Sequence, residues 1–370
     1  MNINPSDLIT LLAADSASAS WAEGVINKNA QFDPKIKITF NNMGQHYGDL
    51  GNQMFQAAAI IALSKLHKTI PKIPNSKSEY FKNAGVKLGC FKIQEKMLID
   101  KPIPDAAIIH ETSFNLRANR PGFMATAVFG KDIELNKNIS LEGFFQYWQL
   151  NAYAQSEISS AFSFKQEIEE VALSVLQKIR THDNHLNKKI VGVHIRLGDQ
   201  VGDELNHPIL TKEYYDNAFK RVKEVYDNPV FLIVSDEPQK CKKIYKNENI
   251  IYADELDLSD LQDISERTDL DLDSIFSAPV DMCILSLCDS VIMANSTFSW
   301  WAAWLNKSDR IYAPSRNNWF GDILNWKNMS DFYPPDWEEV WFKRSEDSQL
   351  SASGLLSLLQ PTQTKGDDLA

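Results

Sequence analysis

Short β-branched runs alternate with helical segments through the second half of the chain, and that alternation constrains the fold more than any other feature. Lys188–Arg196 (KKIVGVHIR) reads as a strand, followed by a loop to Pro208 and a helix from near Thr211 to Tyr226. Val230–Ser235 reads as a buried strand, and Pro238 suits the first turn of the next helix, where no backbone N–H is needed. A short strand Asn249–Tyr252, a helix Val280–Cys288, a strand Ser290–Ala294, a helix Thr297–Asn306 and a strand Arg310–Ala313 complete the pattern. Such alternation predicts an α/β fold with a parallel, doubly wound sheet, whose ligands lie at the carboxyl ends of the strands. Three strands are followed there by polar clusters, His194–Asp199, Ser235–Pro238 and Asn295–Phe298.

The first half is less regular. Ile36–Phe40 reads as a strand, Gly44–Gly51 as a glycine-bearing loop, and Asn52–His67 as a helix with Phe55, Ala58, Ala59, Ala62, Leu63 and Leu66 on one face. Pro71–Arg120 is rich in Pro and Lys, and no element is assigned to it. At roughly 150 residues per domain, 370 residues suggest two domains or one large one. The expected division is an extension over 1–35, an N-terminal domain over 36–187, a C-terminal domain over 188–343 and a polar tail over 344–370.

Composition excludes several classes of partner. The 38 basic and 49 acidic residues give a formal net charge of −11, unsuited to nucleic acid or an anionic membrane. No run reaches the roughly 18 apolar residues of a membrane span. The apolar patch Leu8–Ala14 is flanked by Asp7 and Asp15 with no Lys or Arg before it, unlike a signal peptide. Cys90, Cys241, Cys283 and Cys288 are too sparse for a disulfide scaffold and read as buried thiols of a cytoplasmic protein.

Each motif admits two readings. The loop Gly44–Gly51 with Asn52-Gln53 stands between a strand and a helix, where glycines let backbone approach a ligand and the helix start favours an anion. Its spacing fits neither the dinucleotide fingerprint nor the Walker loop, and a plain turn also explains the glycines. His194 and Arg196, two apart, project to one side of a strand end. Arg196 offers a fork of donors for a diphosphate with Asp199 orienting it, or the two form a simple ion pair. Asn295-Ser296-Thr297-Phe298 opens a helix as an anion nest or as an ordinary cap, and Trp300, Trp301 and Trp304 read as core. Glu204 is a candidate general base or a solvated loop charge. Between Asp254 and Asp273 nine of twenty residues are acidic. The triads at Asp269-Leu-Asp271 and Asp271-Leu-Asp273 resemble metal-binding pairs but suit a solvated loop better. Asp254, at a strand end, is placed to accept hydrogen bonds from a base edge.

Gly48-Asp-Leu-Gly-Asn-Gln-Met-Phe55, Val193-His-Ile-Arg-Leu-Gly-Asp199 and Asn295-Ser-Thr-Phe-Ser-Trp-Trp301, in this order, resemble the α-1,2-fucosyltransferases of glycosyltransferase family 11 over about residues 38–320. Leu141-Glu-Gly-Phe-Phe-Gln146 and Ala313-Pro314 before Trp319-Phe320 add to the likeness. The resemblance implies a GT-B fold, two Rossmann-like doubly wound domains facing a central cleft. It also implies GDP-fucose as donor, inversion at the anomeric carbon and no obligatory metal or other cofactor. Leu197 stands where the family usually has a second arginine, and Gln200 where an aromatic is common. The α-1,6-fucosyltransferases share the His-x-Arg strand and place a basic glutamate eight residues after the arginine, the spacing of Glu204.

On this reading Arg196 and the Asn295–Thr297 helix start, with Phe298, grip the diphosphate, and Asp199 and Asp236 stand beside them. His194 and Asp254 hold ribose and guanine, Gly51, Asn52 and Gln53 close on the donor and acceptor, and Glu204 takes the acceptor proton. The acceptor, a galactose-terminated glycan, lies mainly on the first domain, and Tyr147 and Trp148 there read as core rather than as sugar-stacking platforms. A metal-dependent glycosyltransferase using Asp269–Asp273, or a non-catalytic glycan- or nucleotide-binding protein, are the rival readings. A P-loop ATPase is disfavoured for want of a Walker lysine.

Overall fold

The computed structural model describes residues 35–45, 48–111, 137–198, 203, 205–246, 249–256, 278–324, 329 and 332–342. Two parallel sheets dominate it. The first has the order β2-β1-β6-β5, built from β1 (Lys37–Thr39), β2 (Ile70–Pro71), β5 (Ala107–His110) and β6 (Ile139–Glu142). A small parallel pair, β3 (Ile73–Pro74) and β4 (Leu98–Ile99), lies between them in sequence. So Pro71–Arg120, to which the sequence assigned nothing, contributes strands to this half, each too short or too Pro-bearing to show a period of two.

The second sheet has the order β12-β11-β10-β7-β8-β9 with every pairing parallel. Its strands are β7 (Ile190–Ile195), β8 (Val230–Ser235), β9 (Ile250–Tyr252), β10 (Ser290–Ile292), β11 (Ile311–Pro314) and β12 (Glu338–Val340). In chain order that is 3-2-1-4-5-6 reversed, the doubly wound arrangement, with its switch point between β7 and β10. The α/β, two-sheet GT-B plan expected from the sequence is the one observed. β7 is buried at every position, as a central strand covered on both faces must be.

Helices fill the layers. In the first half they are α1 (Leu50–His67), α2 (Glu79–Asn83), α3 (Trp148–Tyr153), α4 (Gln155–Ala161) and α5 (Gln166–Thr181); in the second, α6 (Lys212–Val225), α7 (Pro238–Ile244), α8 (Ala278–Leu287) and α9 (Thr297–Leu305). α1 differs from its expected form. Instead of one apolar face it is buried nearly all round, because it lies between the first sheet and α9. Its two interior glutamines are hydrogen-bonded there: Gln56 Nε2 donates to the Gly143 carbonyl at 3.2 Å, and Gln53 is bonded as described below. Phe55 packs on Trp300 and Trp301 at centroid distances of 4.5 and 5.0 Å, and Phe162 on Trp301 at 5.1 Å, so one core runs through the junction of the two halves. Trp300 and Trp301 are fully buried and Trp304 partly, as expected of core residues. Tyr147 and Trp148 pack partly buried against the same core. All four cysteines are buried and free. Among the described residues no helix is long and apolar enough to cross a membrane.

Candidate active site

At the second sheet's switch point two strand ends form a crevice. Arg196 follows β7, and Asn295-Ser296 leads from β10 into α9. Arg196 Nη1 donates to Ser296 Oγ at 2.8 Å, and the same oxygen accepts the Phe298 N–H at 3.3 Å as the cap of α9. One hydroxyl thus ties the half-buried guanidinium to the helix start. His194, two residues earlier, is buried with its ring 5.0 Å from that of Phe298. Its Nδ1 is hydrogen-bonded to the Ser299 hydroxyl. Ser299 Oγ also accepts the Ala294 N–H at 3.0 Å, so the ring is tied to the turn before α9. Burial, and then the Arg196 charge, push the imidazole pKa down to about 3. At pH 7 the ring is neutral, and the formal positive charge of the strand end is that of Arg196.

α1 meets α9 at this point. A Cβ on Gly51 would stand 2.6 Å from both the Phe298 nitrogen and the Thr297 carbonyl carbon, so only glycine allows the approach. Two helix N-termini converge here, and neither first turn carries an acidic residue. Their partial positive charges reinforce Arg196 in favouring an anion.

Other expected site residues act on the protein itself. Gln53, 1% exposed, donates to the Gly48 and Gly85 carbonyls at 3.2 and 3.0 Å and accepts the Lys87 N–H at 2.7 Å. These bonds make it a holder of the loop. Asp236 accepts the Leu197 and Gly198 N–H groups at 2.9 and 3.0 Å, fixing the turn after Arg196, and a Cβ on Gly198 would crowd it at 2.9 Å. Asn295 Nδ2 donates to the Pro208 and Trp319 carbonyls at 2.7 and 3.3 Å, anchoring two loops at the rim. Asp254 pairs with Lys242 at 2.7 Å, a partner that any base edge would share. Asn52 Oδ1 accepts from Gln146 Nε2 at 3.0 Å. Asp199, Glu204 and the Asp269–Asp273 triads lie outside the described residues.

Sequence inspection passed over three residues. Asp281, in the first turn of α8, has its carboxyl raised well above the usual range by desolvation and then by the charge of Asp254. Buried Glu111 accepts the Phe144 and Phe145 N–H groups at 2.6 and 3.1 Å. Gln146 is buried beside Asn52. Of these, only Gln146 carried a signal in the sequence, its place in Leu141–Gln146. Among the described residues no group of three or more His, Cys, Asp or Glu is arranged to hold a metal.

The profile of glycosyl transferase family 11 matches residues 12–340. The chain belongs to glycosyltransferase family 11. This glycosyltransferase is 27% identical to the O-antigen biosynthesis glycosyltransferase WbnK of Escherichia coli, over 74% of this chain and 93% of that protein. It is 28% identical to an alpha-1,2-colitosyltransferase of Escherichia coli, over 74% and 90% of the two chains. Mouse galactoside alpha-(1,2)-fucosyltransferase 2 is 25% identical, over 74% of this chain and 70% of that one. The matched span takes in both sheets. It therefore includes the Arg196 crevice of the glycosyltransferase and the α1–α9 junction beside it.

Proposed function

We propose that this family 11 glycosyltransferase is an inverting fucosyltransferase, moving L-fucose from GDP-fucose to the 2-hydroxyl of a terminal galactose without a metal ion. The observation that carries the reading is the Arg196–Ser296 bond at the β7/β10 switch point, where a fixed guanidinium and the start of α9 face one crevice. A diphosphate suits that crevice, and relatives named for α-1,2 fucosyl and colitosyl transfer supply the linkage.

In the proposed reaction the acceptor oxygen bonds to the anomeric carbon as the carbon–phosphate oxygen bond breaks, and GDP departs with that electron pair. Arg196 and the converging helix starts stabilise the charge gathering on the departing β-phosphate, electrostatic preorganisation aimed at the transition state. His194, a neutral imidazole, is assigned to the ribose. Asp254, already paired with Lys242, is assigned with its neighbour Asp281 to the guanine edge. Glu204 is assigned the acceptor's proton from its spacing after Arg196. Asp236, Asn295 and Gln53 hold the loops around the donor. The four buried free thiols support a reducing, cytoplasmic setting, which cell fractionation tests.

Incubation with GDP-fucose and lactose in EDTA tests the proposal, with GDP-colitose as a second donor because one relative is named for that sugar. Release of GDP from GDP-fucose that survives EDTA and falls at least a hundredfold in Arg196→Ala is expected. Full activity in Arg196→Ala, or activity lost in EDTA and restored by Mn²⁺, contradicts it.

A further inference from the structure

Glu111, Gly143, Phe145 and Gln146 form a built feature at the carboxyl ends of the first sheet's adjacent strands β5 and β6. Gly143 has φ +146°, and a Cβ there would collide with the Glu111 side chain. Phe145 is a non-glycine residue in the left-handed region, φ 52°. Such backbone persists only where its surroundings hold it, and it concentrates at functional sites. Here the holding group is the buried Glu111 carboxylate, which takes the Phe144 and Phe145 N–H groups.

Gln146 follows immediately. It is 8% exposed. Its Nε2 donates to Asn52 Oδ1 at 3.0 Å, while its Oε1 has no hydrogen-bond partner among the described residues. A buried amide oxygen without a donor is costly, so an unmatched one needs an explanation. Asn52 stands one residue after Gly51, the point of contact with Thr297 and Phe298. Its own Nδ2 lies over Gly48, where any Cβ would overlap it. The glycine at 48 (φ +84°) therefore makes room for that amide.

We infer that Gln146 and Asn52 bind one hydroxyl of the transferred sugar. This rests on the donor reading above. A hydroxyl both donates and accepts, and the amide pair offers the complement: Gln146 Oε1 accepts its proton and Asn52 Nδ2 donates to its oxygen. The last torsion of Gln is broad, so a small rotation turns Oε1 to the sugar at little cost. Position selects the transferred sugar over the acceptor. On that donor reading the diphosphate lies against Arg196 and Thr297, and Gly51 carries the start of α1, with Asn52, up to Thr297, so the group beyond the β-phosphate falls on the side of the pair.

Gln146→Met keeps length and apolar packing but removes the acceptor. Its kcat/KM for GDP-fucose is expected to fall about tenfold, with GDP affinity by calorimetry unchanged within twofold because GDP lacks the sugar. With 2-, 3- and 4-deoxy GDP-fucose, one analogue should lose activity in the wild type and lose no more in Gln146→Met. If the variant fails to fold by thermal melting, Asn52→Ala is read the same way. GDP and GDP-fucose binding falling together would make the role structural and overturn the inference. So would an unchanged kcat/KM, or a loss confined to the acceptor KM. Wild-type protein that binds GDP but turns over no fucosyl donor would instead refute the functional reading beneath it.

Discussion

Gly51→Ala separates two opposing effects in one substitution. Inside a helix, alanine is favoured over glycine by about 0.5–1 kcal/mol, so propensity alone predicts a more stable protein. Packing predicts the reverse. The new Cβ would lie 2.6 Å from two backbone atoms of α9 and 2.7 Å from Thr297 Oγ1, against ordinary contact from 3.4 Å, so the helices must part by 3.4 − 2.6 = 0.8 Å. The Thr297 hydroxyl can rotate away, but the Phe298 nitrogen and Thr297 carbonyl carbon cannot. Overpacking of this kind costs about 1–3 kcal/mol. Net of propensity, a loss of roughly 1–2 kcal/mol is expected, a fall of a few degrees in Tm. The same shift moves the start of α9 relative to Arg196, and displacements near 1 Å in a positioned site cost up to about a hundredfold in rate. Thermal unfolding and GDP release with GDP-fucose and lactose measure both. A variant at least as stable as wild type with an unchanged kcat/KM would refute the junction as a fixed part of the site.

Three further outcomes are expected. Arg196→Lys keeps a charge but loses the fork that holds Ser296, and its GDP affinity should fall about ten- to a hundredfold by calorimetry; equal affinity would show that charge alone suffices. His194 titrates near 3 when folded against about 6.5 unfolded, so between those values the unfolded chain holds more protons and stability falls as pH drops below about 6.5. Comparing urea unfolding at pH 8 and pH 5, the stability advantage of wild type over His194→Gln should shrink by about 2 kcal/mol; a constant difference contradicts the buried neutral imidazole. Gln53→Ala leaves two carbonyls and one N–H without their partner, so a loss of about 1–3 kcal/mol in stability is expected with donor KM changed little below the melting range; the reverse pattern would return Gln53 to direct donor contact.

How much of this the sequence shows depends on where the bonding partners lie. β7 and β8 are continuous apolar runs because both faces are covered, and Pro238 and Ser296 mark helix starts by local chemistry. β12, Glu-Glu-Val at the sheet edge, carries no such run. The first sheet is built from strands of two to four residues, one ending in Pro71, and local preference cannot mark them. Gln53 and Gln56 are polar residues on α1, and only the folded chain shows both hydrogen-bonded inward to backbone of distant loops. The Arg196–Ser296 pair was legible because strand ends in a doubly wound sheet announce a crevice. Glu111 and Gln146 act through partners 33 and 94 residues away, and only the folded chain shows those pairings.

NMR of the product formed from GDP-β-L-fucose and lactose in the presence of EDTA tests the central proposal most directly. An α-linked fucose on the galactose 2-oxygen, absent with Arg196→Ala, is the predicted result. Retention of the β configuration, linkage to another hydroxyl, or transfer only from a different nucleotide sugar would contradict it.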